Sequence, residues 1–184
     1  QHSLAARFAS GAAIVAGGSG GIGAADCRQL AEGGAHVALT YHRNQDKAEA
    51  VAATVRAAGR EASIDAVDLN DDAAVAAFVE DTAKRFGGVH TAVYAAGPYI
   101  NMRFVSKIEP KLFRETLATD LFGCHHLLHA SLPHLRRTKG AIVAMAKPYA
   151  SLMPMRACRR RSGAGAHQFQ RPSIRISDGT SSAR

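Results

Sequence analysis

Five glycines fall within the seven residues 17–23, Gly-Gly-Ser-Gly-Gly-Ile-Gly, directly after an apolar run and directly before a helical one. Neither a strand nor a helix tolerates so many glycines in its interior, so the segment has to be a turn joining the two. Glycine suits that turn for three reasons. The chain bends sharply, its backbone can approach a diphosphate closely, and the following helix can pack tightly on the strand. The helix N-terminus offers free N–H groups and a partial positive charge to an anion. Two registers fit: Gly18, Gly20 and Gly23 as G-x-G-x-x-G, and Gly17, Gly21 and Gly23 as G-x-x-x-G-x-G.

The chain keeps this grammar to about residue 146. Short apolar runs at 12–16, 35–41, 62–67, 89–95 and 141–145 read as strands buried on both faces. Between them, Ala48, Val51, Ala52 and Val55, and then Val75, Phe78, Val79 and Phe86, recur at helical spacing. Asn44 and Asn70 stand where a helix cap is needed, Asp71 and Asp72 where a helix start favours negative charge, and Gly87 and Gly88 where the third helix ends. Alternating strands and helices with right-handed crossovers make a doubly wound parallel α/β sheet. After Met145 the pattern stops. The expected division is a dinucleotide-binding Rossmann-like domain over 1–147 and a disordered or irregular basic tail over 148–184.

The net charge of +8 would suggest a nucleic-acid partner if it were spread over the body. It is not. Up to Lys147 there are sixteen basic against fourteen acidic residues, whereas from Pro148 onward seven Arg meet only Asp178. The tail, with Arg156, Arg159, Arg160, Arg161, Arg171 and Arg175, lacks regularly interleaved aromatics and any reading module, so nucleic-acid contact is not expected. No apolar run is long enough to span a membrane, and no signal-peptide pattern opens the chain. Cys27, Cys124 and Cys158 are too few and too widely spaced for a disulfide framework or a zinc cluster, which points to reduced thiols in a cytoplasm. A chain that starts at Gln1 fits a fragment or a processed product.

With the turn go Asp68-Leu69 after the third apolar run, Tyr94-Ala95-Ala96-Gly97 after the fourth, and Asp120-Leu121-Phe122-Gly123 in a helical stretch from about 111 to 135. In order and spacing these resemble the short-chain dehydrogenase/reductase family. There Thr usually precedes the first glycine, where this chain has Ala16, and Asn usually stands at Tyr94, Ala95 and Asp120. The resemblance implies strand order 3-2-1-4-5 in an incomplete sheet. It implies an NAD(P)(H)-dependent oxidoreductase acting on a small carbonyl or alcohol, and a homo-oligomer contact through the helix 111–135. The cofactor-binding residues expected from it are Gly17, Ser19, Gly20, Gly21, Ile22, Gly23, His42, Arg43, Asn44, Asp68, Leu69, Ala95, Ala96 and Gly97. An NAD reader normally carries an acid at the end of the second strand to bond the ribose 2′-OH. This chain has Tyr41 there, followed by His42 and Arg43, and a guanidinium can grip a 2′-phosphate bidentately, so NADP(H) is expected over NAD(H).

Catalysis in that family is understood to use Ser, Tyr, a Lys four residues after the Tyr, and Asn. A phenol that titrates near pH 10 needs such a cation to act near neutrality. Here Tyr41, Tyr94, Tyr99 and Tyr149 are followed four residues on by Gln45, Pro98, Arg103 and Met153. The strand expected at 141–145 leads into Ala146-Lys147-Pro148 instead of the family's Ser. The weak catalytic candidates are therefore Asp120, Lys147 and Tyr149. Three accounts follow: a truncated reductase whose C-terminal part has been replaced, as by a shifted reading frame; a catalytically inactive nucleotide-binding module; and an unconventional enzyme using Lys147 and Tyr149. The first would leave the fifth strand as an open edge. His125, His126, His129 and His134 crowd one helix, with His125 and His129 on a shared face, and read as interface or surface histidines with no metal.

Overall fold

The computed structural model describes residues 8–97 and 107–145. Lys147, Tyr149, Tyr99 and the basic tail from 148 lie outside the described residues. Among the described residues the chain runs through β1 (Ala12–Ala16), α1 (Gly21–Glu32), β2 (His36–Tyr41), α2 (Gln45–Ala57), β3 (Ala62–Ala66), α3 (Asp72–Phe86), β4 (Val89–Tyr94), α4 (Pro110–Leu117), a π-helical turn (Ala118–Gly123), α5 (Cys124–Thr138) and β5 (Ala141–Ala144). All strands pair in parallel in the order β3-β2-β1-β4-β5, a Rossmann-like sheet with helices on both faces.

Side chains alternate across the sheet because the strand period is two residues. Ile14, Ala16, Ala38, Ala92 and Tyr94 pack under α3 and α5 with Val75, Phe78, Leu127 and Leu135. Val15, Val37, Leu39 and Val93 face the other way, onto Cys27 and Ala31 of α1 and Ala48, Ala52 and Val55 of α2. The central strands β1 and β4 are buried throughout, β4 burying His90 and Thr91 along with its apolar side chains. The outer strands are not. Asp65 and Ala66 of β3 are exposed, and Val143 of β5 is 49% exposed, because among the described residues β5 pairs with β4 alone.

The helix boundaries show which capping signals act. Asn44 Oδ1 accepts from Lys47 N at 3.0 Å, so α2 starts as its sequence indicates. α3 is capped by Asp71, not Asn70: Asp71 Oδ1 accepts from Ala74 N at 3.0 Å. Asn70 is held one step earlier, its backbone N–H and side-chain amide both donating to Asp68 Oδ1. The helix expected over 111–135 forms, but as α4 and α5 joined by the π-helical turn, where the ladder widens by one residue. The Tyr94 hydroxyl donates to the Thr119 carbonyl within that turn.

The histidines on α5 divide. His125 and His129 are exposed with rings stacked 5.8 Å apart, while His134 is buried. Arg137 can only donate, so the 2.7 Å contact from its Nη2 makes His134 Nδ1 an acceptor; His134 Nε2–H then donates to Glu80 on α3 at 2.9 Å. His134 is thus a bolt between α5 and α3, correcting its reading as an interface or surface residue. No group of metal-ligating side chains occurs among the described residues. No helix among them is long and apolar enough to cross a membrane.

Candidate functional site

The glycine turn sits at the C-terminal edge of β1, between the ends of β2 and β4. Gly17 has φ +77°, and a Cβ there would lie 2.6 Å from Ala96 Cα, so only glycine lets the chain leave the sheet at this point. Gly20 N–H donates to the Gly17 carbonyl at 3.0 Å and closes the turn, after which Ala24 N–H donates to Gly20 O at 2.8 Å as α1 begins. Beneath the turn lies Cys27, whose thiol is pushed up to about 12 by burial and then by the neighbouring Asp26 charge, so it stays protonated and inert.

α1 starts differently from α2 and α3. Its cap residue is Gly20, no side chain among the described residues bonds its first N–H groups, and its first turn holds no acid. The other two helices have Asn44 and Asp71 as caps and an acid in the first turn. The amides that open α1 and the positive end of its dipole are therefore left to whatever lies beyond them.

Beyond them is a cavity of about 470 Å³ at the C-terminal ends of the strands. Of the expected residues, Gly17, Ser19, Gly20, His42, Arg43, Asp68, Leu69, Ala95, Ala96 and Gly97 line it. Gly21, Ile22 and Gly23 form the first turn of α1 and are not among the lining residues, and the Asn44 side chain is occupied as the cap of α2. Sequence reasoning missed Thr40, Tyr41, Val67, Asn70 and Thr119 as lining residues. Alternation along β2 was a usable signal for Thr40, which sits two residues beyond Ala38 on the same face. The position of Thr119 depends on the π-helical turn, which no local pattern announces.

The cavity's far wall is braced from α5. The His126 ring N–H at Nδ1 donates to the Leu69 carbonyl at 3.0 Å, and a Cβ on Gly123 would stand 3.1 Å from Leu69 Cβ and 2.8 Å from the Tyr94 hydroxyl. That close seat lets the π-helical turn press against the strand ends. Burial, then the charges of Cys124 and Asp120, hold the Tyr94 phenol well above its ordinary value of 10.0. Asp120 lies in the π-helical turn, half-buried and next to Tyr94 and Cys124, and is not among the lining residues.

The family model for short chain dehydrogenase matches residues 11–157. The chain belongs to the short-chain dehydrogenase family. Among curated relatives, L-fucose dehydrogenase of Oryctolagus cuniculus is 31% identical over 138 residues, covering 75% of this chain and 47% of the relative. A short chain dehydrogenase from Burkholderia cenocepacia, solved in complex with NADP, is 33% identical with TM-score 0.72, covering 80% of this chain and 60% of that one. An NAD+-bound xylitol dehydrogenase is 28% identical with TM-score 0.71, covering 76% and 54%. The chain spans about half the length of the curated relatives it matches. Proteins similar to this chain thus hold either nicotinamide dinucleotide, and the glycine turn and uncapped start of α1 beside this cavity fit the diphosphate of one.

Proposed function

We propose that this chain binds NADP(H) in preference to NAD(H), as the nucleotide-binding part of a short-chain oxidoreductase that interconverts a small carbonyl compound and an alcohol. The observation carrying this reading is that the uncapped start of α1 and the Arg43 guanidinium border the same cavity, while the end of β2 brings Tyr41 rather than an acid. The first would take the diphosphate, the second a 2′-phosphate that an acid would repel. The cofactor supplies the hydride chemistry when bound; these residues hold its ADP portion.

Within the 184 residues, the reading favoured for turnover is binding without chemistry. There is no Tyr-x-x-x-Lys spacing anywhere in the sequence. Tyr94, at the end of β4, has its hydroxyl committed to Thr119 and its proton held too tightly to be released near neutrality. Loss of a general acid costs about 10²–10⁴ in rate. A truncated reductase and an inactive nucleotide-binding module share this behaviour. Exposed Leu117, Leu121 and Phe122 support a homo-oligomer contact along the helix, and a cytoplasmic setting suits the free thiols of Cys27 and Cys124.

The test is fluorescence titration with NADPH and NADH, repeated on Arg43→Ala. A lost charged hydrogen bond at this exposed site is worth about 1.4 kcal/mol, so NADPH affinity should fall about tenfold and NADH affinity should not change. Equal affinities in the parent chain would refute the preference, and unchanged NADPH affinity in Arg43→Ala would refute its assignment to Arg43.

A further inference from the structure

We propose that Thr40 is a positioning residue for the diphosphate turn, acting through the backbone N–H of Gly17. The inference rests on the nucleotide-binding reading and asks what aims the turn. β1 leaves the sheet at Gly17, and its two neighbours treat that exit differently. On the β4 side the ladder runs on, Ala95 N–H donating to Ala16 O at 3.0 Å. On the β2 side Gly17 N–H donates instead to the Thr40 hydroxyl oxygen at 3.1 Å. A side chain thus ends the β1–β2 ladder, and the chain is free to swing into its left-handed turn with its amide still satisfied.

Thr40 is 1% exposed and borders the cavity beside Ser19 and Gly20. Its β-branched side chain on a buried strand has little rotamer freedom, so the acceptor oxygen is fixed in space. The residue before the turn, Ala16, has no polar side chain to share the task. Held by Thr40, Gly17 directs its own carbonyl to Gly20 N–H, and that bond sets the direction in which Ser19, Gly20 and the first amides of α1 face. Without the hydroxyl the Gly17 amide would be orphaned beneath the turn, and the turn would relax toward another acceptor.

The experiment compares two ligands on three proteins by calorimetry. NADP+ carries the diphosphate, whereas adenosine 2′-monophosphate keeps the adenine, ribose and 2′-phosphate but lacks it. In Thr40→Val, which keeps the shape and removes the acceptor, NADP+ affinity should fall about tenfold while adenosine 2′-monophosphate stays within about twofold. Thr40→Ser, which restores the acceptor, should recover most of the NADP+ affinity. Should Thr40→Val not fold, Thr40→Ala makes the same comparison without a methyl in the buried seat. The proposal is overturned if the acceptor-free variant binds NADP+ like the parent, or if both ligands weaken together as general loosening would make them. Failure of the unsubstituted chain to bind either ligand would instead sink the nucleotide-binding reading, and this inference with it.

Discussion

Two glycines at the start of α1, Gly21 and Gly23, face opposite constraints, and replacing each with alanine separates a position that packing reserves for glycine from one that it leaves open. A Cβ on Gly23 would stand 2.9 Å from Gly18 Cα and 3.0 Å from the Gly17 carbonyl carbon, with the Gly17 oxygen nearer still. Ordinary contact begins near 3.4 Å, and every atom in the way is backbone, so no rotamer change relieves the clash. α1 has to slide away from the turn. Overpacking of this kind costs about 1–3 kcal/mol, which for a domain of this size lowers Tm by about 3–9 °C. The same slide draws the α1 amides off the cavity, so NADP+ affinity should fall about tenfold or more. Gly21 has no protein atom within 4 Å of its would-be Cβ and no positive φ. Gly21→Ala should therefore leave Tm where it is. Gly21 also lies outside the cavity lining, so NADP+ affinity should stay within about twofold. Differential scanning fluorimetry and calorimetric titration read the two effects. The reasoning fails if Gly23→Ala keeps both stability and affinity, or if Gly21→Ala destabilises the fold or weakens binding.

Stability should fall below about pH 6.5 because of His90. Burial, then the charge of His36, lower its pKa from 6.5, so the unfolded chain takes up a proton that the folded chain refuses. The loss, at most about 1.4 kcal/mol per pH unit, should shrink in His90→Phe, and an unchanged slope in urea titrations at pH 5–7 would rule out this source. His134→Ala should cost about 1–2 kcal/mol by removing the bonds to Glu80 and Arg137 together with the buried ring, and an unaltered Tm would contradict the bolt between α5 and α3.

The alternation of strands and helices was legible because strands buried on both faces carry mostly apolar runs free of acids, lysine and arginine, and the helices between them periodic ones, whereas the order 3-2-1-4-5 came from the family resemblance. What escaped depends on contacts between distant residues. Asn70 and Asp71 are both competent caps, and the choice falls to Asp71 because Asp68 has already drawn Asn70 into its own turn. The π-helical turn has no local signature; its freed Thr119 carbonyl is met by Tyr94, 25 residues earlier. His134 was within reach: it follows Leu127 and Ser131 around the helix onto the buried face, and the crowd of neighbouring histidines hid that phase. The expected cofactor residues nearest the strand ends came together around one cavity. The backbone hydrogen bond to Thr40 was invisible inside an apolar run, where a threonine reads as one more β-former.

The central claim is that the glycine turn and the open start of α1 hold a dinucleotide. Calorimetric titration of the folded chain, its helix and sheet content checked by circular dichroism, measures this most directly. Saturable uptake of NADP+ at one site per chain is the predicted result, whereas no heat above dilution from NADP+, NAD+ or adenosine 2′-monophosphate would contradict it.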